Sequence, residues 1–330
     1  MTGASSGGTD ERTSIPHLTG VDASHQNRIP ISSRVGEPMG YLLFVTALWA
    51  FSFSLIGEYL SGQVDSDFAV LTRVLLGGLV FLPLMRLAAL RPGLVVGMLA
   101  VGALQFGVTY LCLYRAFAYL TVPEVLLFTI TTPLYVTLLD DALHRRFAPV
   151  ALVAAGLAVV GAGIIRYEGL SQGFWFGFLL LQLANLAFAA GQVGYKHLLR
   201  RYPTGQPAYQ SFFLFFVGAL LVTLPAWLVF GDRAMMPVTP VQWAVLGWLG
   251  VAASGLGLYL WNRGACLVDA GTLAVMNNAL VPAGLVVNLL IWNRDADLLR
   301  LTVGGVVIAL SLWVNARYSR YAQVPLFAQR

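Results

Sequence analysis

Charged side chains and cysteines are scarce in this chain, and their scarcity limits what the protein can be. Asp, Glu, Lys and Arg make up 11% of the 330 residues, whereas a soluble domain carries about a quarter. The two cysteines, Cys112 and Cys266, fall near opposite ends of different predicted helices, so no disulfide framework is expected. The composition therefore argues against an ordinary soluble domain and against a disulfide-rich one.

Sequence patterns of enzymes and of metal sites are missing as well. No nucleophile–base pattern and no metal-ligand spacing occurs, and the four histidines fall in predicted tails and loops. The glycine-rich stretch 156–163 is not a phosphate-binding loop, because no strand precedes it and no lysine follows it. Basic residues are scattered over short loops, which argues against a nucleic-acid partner. We therefore expect no enzyme, no cofactor and no metal.

Long apolar runs are what the chain has in abundance. Apolar residues make up 58% of the sequence, and the mean hydropathy is +0.75. A helix needs about 20 mostly apolar residues to cross the hydrocarbon layer, where it satisfies its own backbone hydrogen bonds. The pattern predicts an all-α membrane protein with ten transmembrane helices. Their expected bounds are 40–58, 68–86, 93–114, 121–139, 148–165, 173–195, 209–230, 241–262, 270–291 and 299–316.

The two halves of the chain follow one pattern. A shift of 149 positions places residues 107–165 over 256–314 without a gap and aligns Pro133 with Pro282. Identity is low, but the expected helix bounds agree through three consecutive spans. An odd number of helices per half inverts the second half, and inverted repeats are typical of secondary transporters. The expected organisation is a disordered cytoplasmic tail at 1–36, five-helix repeats at 37–165 and 166–316, and a cytoplasmic tail at 317–330.

The positions of the basic residues predict the orientation of the chain. Most of the twenty Lys and Arg fall on one side of the expected spans, among them Arg86, Arg91, Lys196 and Arg200. Basic loops are retained in the cytoplasm. We therefore expect both tails to be cytoplasmic.

Polar side chains within the apolar spans are candidates for a substrate site, because polar groups in hydrocarbon tend to face a cavity. Pro133 and Pro282 predict helix breaks at equivalent positions, since a proline leaves the carbonyl four residues earlier unbonded. Interrupted helices in both halves indicate the binding site of a transporter, and a packing kink is the alternative. The residues expected to contact substrate are Trp49, Arg73, Gln105, Tyr110, Thr129, Thr131, Thr132, Asn185, Tyr259, Asn277 and Asn278.

Ionisable side chains are few in the expected spans. An unpaired Arg73 inside a span would be costly, and an arginine binds a carboxylate through two parallel hydrogen bonds. We therefore expect Arg73 to pair with Glu124 or Glu58, or to bind a substrate carboxylate. Glu124 and Glu58 are also the candidates for coupling or gating, because a buried carboxyl group can exchange protons near neutral pH.

Two short stretches carry a family resemblance. ALWAFSF at 47–53, followed across a loop by FAVLTR at 68–73, resembles the start of the EamA domain. That domain is the repeat unit of the drug/metabolite transporter superfamily. The resemblance covers residues 40–316 and implies ten helices, cytoplasmic termini and a central cavity between the halves.

Longer stretches of the sequence resemble a narrower group within this superfamily. GAGIIRY, GQVGYK and VDAGTLAVMNNALVPAGLVVNL are similar to the enterobacterial biotin-uptake carriers of this superfamily. The resemblance implies import of a small organic anion, biotin or a similar one, across the bacterial inner membrane by alternating access. A carrier or exporter of an amino acid or related metabolite stays open as an alternative, as does a non-transporting membrane component. A monomer and a dimer are both compatible with the sequence.

Reporter fusions test the expected topology. A fusion at Asp65 is expected outside the cytoplasm and a fusion at His144 inside it, because three expected spans separate the two loops. Alkaline phosphatase should be active only at Asp65, and green fluorescent protein should fluoresce only at His144. Equal signals from the two positions would contradict the topology.

Overall fold

The computed structural model describes residues 31–87, 90–143, 172–268 and 270–292. It also describes isolated positions, namely residues 145, 299, 302, 303, 306, 307, 310 and 313. Regular structure within these ranges is entirely helical. The expected fifth span lies outside the described residues, as do the C-terminal tail, residues 1–30 and most of the expected tenth span.

Eleven α-helices follow one another in the described part of the chain. They are α1 Ile31–Leu55, α2 Ser66–Phe81, α3 Pro92–Gly102, α4 Thr109–Ala116, α5 Val122–Phe128, α6 Thr132–Leu143, α7 Gln172–Arg201, α8 Phe213–Phe230, α9 Pro240–Trp248, α10 Gly257–Leu267 and α11 Ala270–Trp292. Three π-helical turns extend or join them, at Ile56–Leu60, Ala103–Val108 and Leu249–Leu256. Short 3₁₀ turns lie at Leu82–Leu84, Thr129–Thr131 and Ala208–Gln210.

Seven helical stretches of the described residues are long and apolar enough to cross a membrane. They are Met39–Leu60, Ser66–Leu84, Pro92–Ala116, Val122–Leu143, Gly173–Arg201, Ala208–Phe230 and Pro240–Leu267, and Met276–Trp292 is apolar but shorter. The prediction of an all-helical membrane protein is thus confirmed. Several helices are longer than expected: α1 begins at Ile31, where a tail was expected to continue to residue 36. Apolar runs mark only the part in hydrocarbon, and a helix can continue beyond it.

Short polar side chains cap the helices that start after loops. The carboxylate of Asp65 accepts a hydrogen bond of 2.7 Å from the backbone N–H of Phe68 at the start of α2. The hydroxyl of Thr239 accepts one of 3.2 Å from Gln242 N at the start of α9. First-turn N–H groups have no partner within their own helix, so these caps fix where the helices begin.

Helices α3 and α8 cross with their backbones in contact. A Cβ atom added at Gly102 would overlap the carbonyl of Phe215, and one added at Gly218 would overlap the carbonyl of Leu99. Small residues allow such close approach, which stabilises helix pairs in membranes. This crossing joins a helix of the first half of the chain to one of the second.

The two ends of the bundle carry different polar contacts. At one end, Asp67 in the first turn of α2 pairs with Arg115 in the last turn of α4, with Nη2 and Oδ2 2.7 Å apart. At the other end, Lys196 Nζ donates a 2.7 Å hydrogen bond to the carbonyl of Val268, after α10. We name these the Asp67 end and the Lys196 end.

Pro133 and Pro282, which align under the shift of 149, have different local structures. Helix α5 ends at Phe128, the Thr129–Thr131 turn follows, and Pro133 lies in the first turn of α6. Helix α11 instead runs through Pro282 without interruption, so the expected break there is wrong. A proline removes one hydrogen bond, and membrane helices tolerate this loss where neighbouring groups compensate.

The α3–α8 crossing makes a testable prediction about Gly218. Gly218→Ala is expected to destabilise the protein by about 1–3 kcal/mol, because its Cβ meets backbone that no rotamer change can move. Gly247→Ala in α9 is the matched control, since a Cβ there meets nothing within 4 Å. Thermal unfolding of the detergent-purified variants measures the difference. Equal melting temperatures would contradict the close crossing.

Candidate functional site

A cavity lies inside the bundle between the two ends. The space free of protein atoms there is about 690 Å³, and this figure includes space that is open to the outside. Arg73 is the charged residue among the described residues that line it. The wall is otherwise apolar and aromatic with a few amides and hydroxyls, which is the usual composition of a small-molecule site.

Seven of the residues expected to contact substrate lie together on the cavity wall. They come from six helices and one turn that are distant in sequence, so only the folded bundle brings them together. They are Trp49, Arg73, Tyr110, Thr129, Thr132, Asn185 and Asn277. Their contact with substrate stays a prediction.

Gln105 and Tyr259 lie away from the described cavity wall. Gln105 is fully buried, and its Nε2 donates to Asn262 Oδ1 at 3.1 Å. Tyr259 packs with Phe81 and Phe212, with ring centroids 5.4 and 5.3 Å apart. Both side chains therefore serve interhelical packing in this structure.

Thr131 and Asn278 are next to wall residues but do not line the cavity themselves. The Thr131 hydroxyl lies 2.7 Å from Gln182 Oε1. Both polar side-chain atoms of Asn278 are buried, and the described residues supply no hydrogen-bond partner for them. Successive helical residues point about 100° apart, so Asn277 reaches the wall and Asn278 does not.

Several wall residues were not selected from the sequence. Ser52, Phe53 and Ile56 lie three, four and seven positions after Trp49, which is the spacing of one helical face. That spacing was a usable signal once Trp49 was chosen. The remaining wall residues that sequence reasoning missed are Thr109, Leu113, Ala184, Phe188 and Leu280, whereas Trp261 is among the aromatic residues that the sequence suggests for the wall of an apolar pocket.

Arg73 is held in the wall by neutral groups. Its side chain is 1% exposed, Nε donates to Ser254 Oγ at 2.9 Å, and Nη1 donates to the Tyr114 hydroxyl at 2.9 Å. The guanidinium carbon lies 4.4 Å from the ring centroid of Tyr110, a distance at which a cation is attracted to the ring face. These contacts orient the guanidinium but do not neutralise its charge.

The expected pairing of Arg73 with Glu124 or Glu58 is wrong for the described residues. Glu124 Oε2 accepts hydrogen bonds from the backbone N–H and the hydroxyl of Thr121, at 2.8 and 2.9 Å. It thereby closes a capping box at the start of α5. Glu58 lies in the π turn that follows α1. The coupling role of both glutamates stays a prediction.

An aromatic cluster lies on the Lys196 side of Arg73 along α2. Phe81 is the last residue of α2, about 12 Å along the helix from Arg73. Its ring packs against Phe212, with centroids 5.1 Å apart. The cluster comprises Phe81, Phe106, Phe212, Phe215, Phe216 and Tyr259. All six rings are buried.

Fold and site together define a multi-pass helical membrane protein with an internal small-molecule cavity. No group of three or more His, Cys, Asp or Glu within the described ranges could hold a metal ion. Residues 38–167 match the EamA-like transporter family. Together with the relatives described next, this match shows that the chain belongs to the EamA-like transporter family. It is therefore a transporter and not an enzyme.

Two relatives are similar over almost their whole length. A protein of Pseudomonas aeruginosa named a probable biotin transporter is 65% identical over 277 residues, which cover 84% of this chain and 97% of the relative. The biotin transporter of Escherichia coli K12 is 50% identical over 281 residues, covering 85% and 93%. A crystal structure of another protein, 16% identical, superposes with a TM-score of 0.61 over 88% of this chain and 99% of its own. At that identity the likeness concerns the fold alone.

Proposed function

We propose that this chain imports biotin across the bacterial inner membrane by alternating access. The observation that carries the proposal is the buried guanidinium of Arg73 on the wall of an otherwise apolar cavity. The relatives at 65% and 50% identity support biotin as the substrate. Biotin has a carboxylate, an apolar chain and a ring with a urea group, and each of these has a counterpart in the wall.

Arg73 is suited to bind the carboxylate. An arginine has five N–H donors, and the contacts with Ser254 and Tyr114 use two of them. No carboxylate of the described residues is among its partners. A positive charge in a low-dielectric cavity attracts an anion strongly, and a guanidinium can hold a carboxylate through two hydrogen bonds.

Aromatic and polar groups of the wall are suited to the rest of the ligand. The rings of Trp49 and Trp261 have centroids 5.0 Å apart, and those of Trp49 and Phe188 are 5.9 Å apart. They offer a flat apolar surface to the chain and the sulfur-containing ring of biotin. Asn185 and Asn277 supply amide groups for the urea.

The proposal includes ten helices in two inverted five-helix repeats, 37–165 and 166–316, with both termini cytoplasmic. The positions of two π turns support the repeat. Ala103–Val108 becomes 252–257 under the shift of 149, which overlaps the π turn Leu249–Leu256. We further propose that the aromatic cluster and the Asp67 end open in alternation, with Glu58 and Glu124 as the candidates for coupling.

Uptake of labelled biotin tests the proposed function. The gene is expressed in biotin-auxotrophic bacteria that lack their own carrier, and cells without the gene are the control. We expect the gene to restore uptake and growth on low external biotin. Unchanged uptake, with the protein present in the membrane, would contradict the proposal.

The role of Arg73 makes a separate prediction. Arg73→Gln is expected to weaken biotin binding about 10- to 100-fold, because a charge-assisted hydrogen bond is lost. Binding of the neutral biotin amide should change much less. Arg233→Gln is the matched control, since Arg233 is an exposed arginine of the loop before α9 and does not line the described cavity. Competition against labelled biotin on purified protein gives both affinities, and an equal loss for the two ligands would contradict a carboxylate-binding role.

A further inference from the structure

Three hydroxyl groups of the cavity wall, those of Ser52, Thr109 and Thr129, donate their hydrogens to the protein itself. A hydroxyl has one hydrogen to donate and two lone pairs to accept. Once the hydrogen is used, the group can offer a ligand only an acceptor. The backbone carbonyls that receive these hydrogens are those of Leu48 from Ser52 at 3.2 Å, Leu104 from Thr109 at 2.9 Å and Leu126 from Thr129 at 2.6 Å.

The side-chain amide of Asn185 also donates its hydrogens within the protein. Its Nδ2 donates to the carbonyl of Phe128 and to the hydroxyl oxygen of Thr131, both at 2.9 Å. A carbonyl oxygen can only accept, so the amide nitrogen must face Phe128. Both hydrogens of Nδ2 are then used, and Oδ1 is the atom that Asn185 has left for a ligand in the cavity.

The neighbours of Asn185 hold its amide in this orientation. The Thr131 hydroxyl has two acceptors for its single hydrogen, the Phe128 carbonyl at 3.0 Å and Gln182 Oε1 at 2.7 Å. Thr131 can then only accept from Asn185, because its single hydrogen is used. Turning the amide over would place two oxygens against each other at Thr131 and at Phe128. Thr131 is therefore a positioning residue for Asn185.

Asn277 offers the cavity an acceptor for the same reason. Its Nδ2 donates to the carbonyl of Leu273 at 2.9 Å and is 3.4 Å from Gln192 Oε1. Gln192 also receives the indole N–H of Trp261 at 3.2 Å. The hydrogens of both wall amides are thus used within the protein.

We infer that the cavity selects its ligand by ring N–H groups, and that Oδ1 of Asn185 accepts a hydrogen bond from one of them. The inference rests on the proposed function and deepens it. Among the described wall residues, only Arg73, Tyr110 and Thr132 keep hydrogen-bond donors for a ligand. The acceptor atoms of the ligand are therefore expected to face these three residues. Its N–H donors belong at Asn185 and Asn277. A ligand with an oxygen in place of a ring N–H would leave a buried carbonyl unpaired, which is costly.

Biotin analogues test, on the unmodified protein, whether the cavity selects a ligand by its ring N–H groups. In each of the two cyclic carbamate analogues, one ring N–H of biotin is replaced by oxygen with little change in size. We expect at least one of them to bind about tenfold or more weakly than biotin. Thiobiotin, with sulfur in place of the urea oxygen, keeps both N–H groups and should bind nearly as well as biotin. Competition against labelled biotin on purified full-length protein measures all four ligands.

Variants test whether Asn185 causes the preference for biotin over the weaker carbamate. Asn185→Ala should reduce the preference for biotin over the weaker carbamate to about twofold or less, because the acceptor that disfavours oxygen is removed. Thr131→Val should reduce the same preference only in part, since it removes one of the two acceptors of Nδ2 while the Phe128 carbonyl still holds the amide. Asn288→Ala is the matched control, because Asn288 is a buried amide of α11 that contacts Ser54 and does not line the described cavity. Its preference should equal that of the unmodified protein.

The outcomes separate the inference from the proposed function. If unmodified protein binds biotin and both carbamates equally, the inference is overturned and the proposed function stands. If it binds no biotin, both are contradicted. A full preference in folded Asn185→Ala overturns the assignment to Asn185. If Asn185→Ala does not fold, Thr131→Val and the analogue series on unmodified protein still decide the matter.

Discussion

A backbone N–H or C=O that faces lipid has no water to bond, and the architecture of this protein depends on that constraint. A helix satisfies this constraint by forming its backbone hydrogen bonds within its own segment. Because lipid is as apolar as leucine, the helices then associate through close packing and buried polar contacts. Gly102 and Gly218 supply the close packing of α3 against α8. The indole N–H of Trp49, which donates to the Ala253 carbonyl at 2.9 Å, supplies one of the contacts between distant helices.

The same constraint explains why the hydroxyl and amide groups of the cavity wall offer a ligand hydrogen-bond acceptors. A hydroxyl or amide in hydrocarbon first satisfies its donors on the nearest carbonyl, as Thr129 and Asn185 do. What it leaves for a ligand is an oxygen. Arg73 differs because its guanidinium has more donors than its neighbours Ser254 and Tyr114 take up. The wall therefore combines one cationic group with several acceptors, and this combination favours an anion that also carries N–H groups.

The proposed repeat rests on the sequence pattern, and the cavity wall does not follow it. Tyr110 and Tyr259 align under the shift of 149, yet Tyr110 lies on the cavity wall and Tyr259 lies in the aromatic cluster. Pro133 follows a 3₁₀ turn, and Pro282 lies within a continuous helix. In the proposed inverted repeat, matching positions lie at mirrored depths in the membrane, so they need not reach the same cavity.

The sequence by itself determined that the chain is helical, apolar enough to cross a membrane several times, and a member of a transporter family. It also narrowed the site to a few polar residues, because polar groups are rare and costly in hydrocarbon. It did not decide which of them share a wall, since adjacent residues such as Asn277 and Asn278 differ only in the direction in which they point. Only the tertiary structure decided that Arg73 is held by neutral partners. It also decided that Asn185 offers an oxygen, because both outcomes depend on contacts between helices distant in the chain.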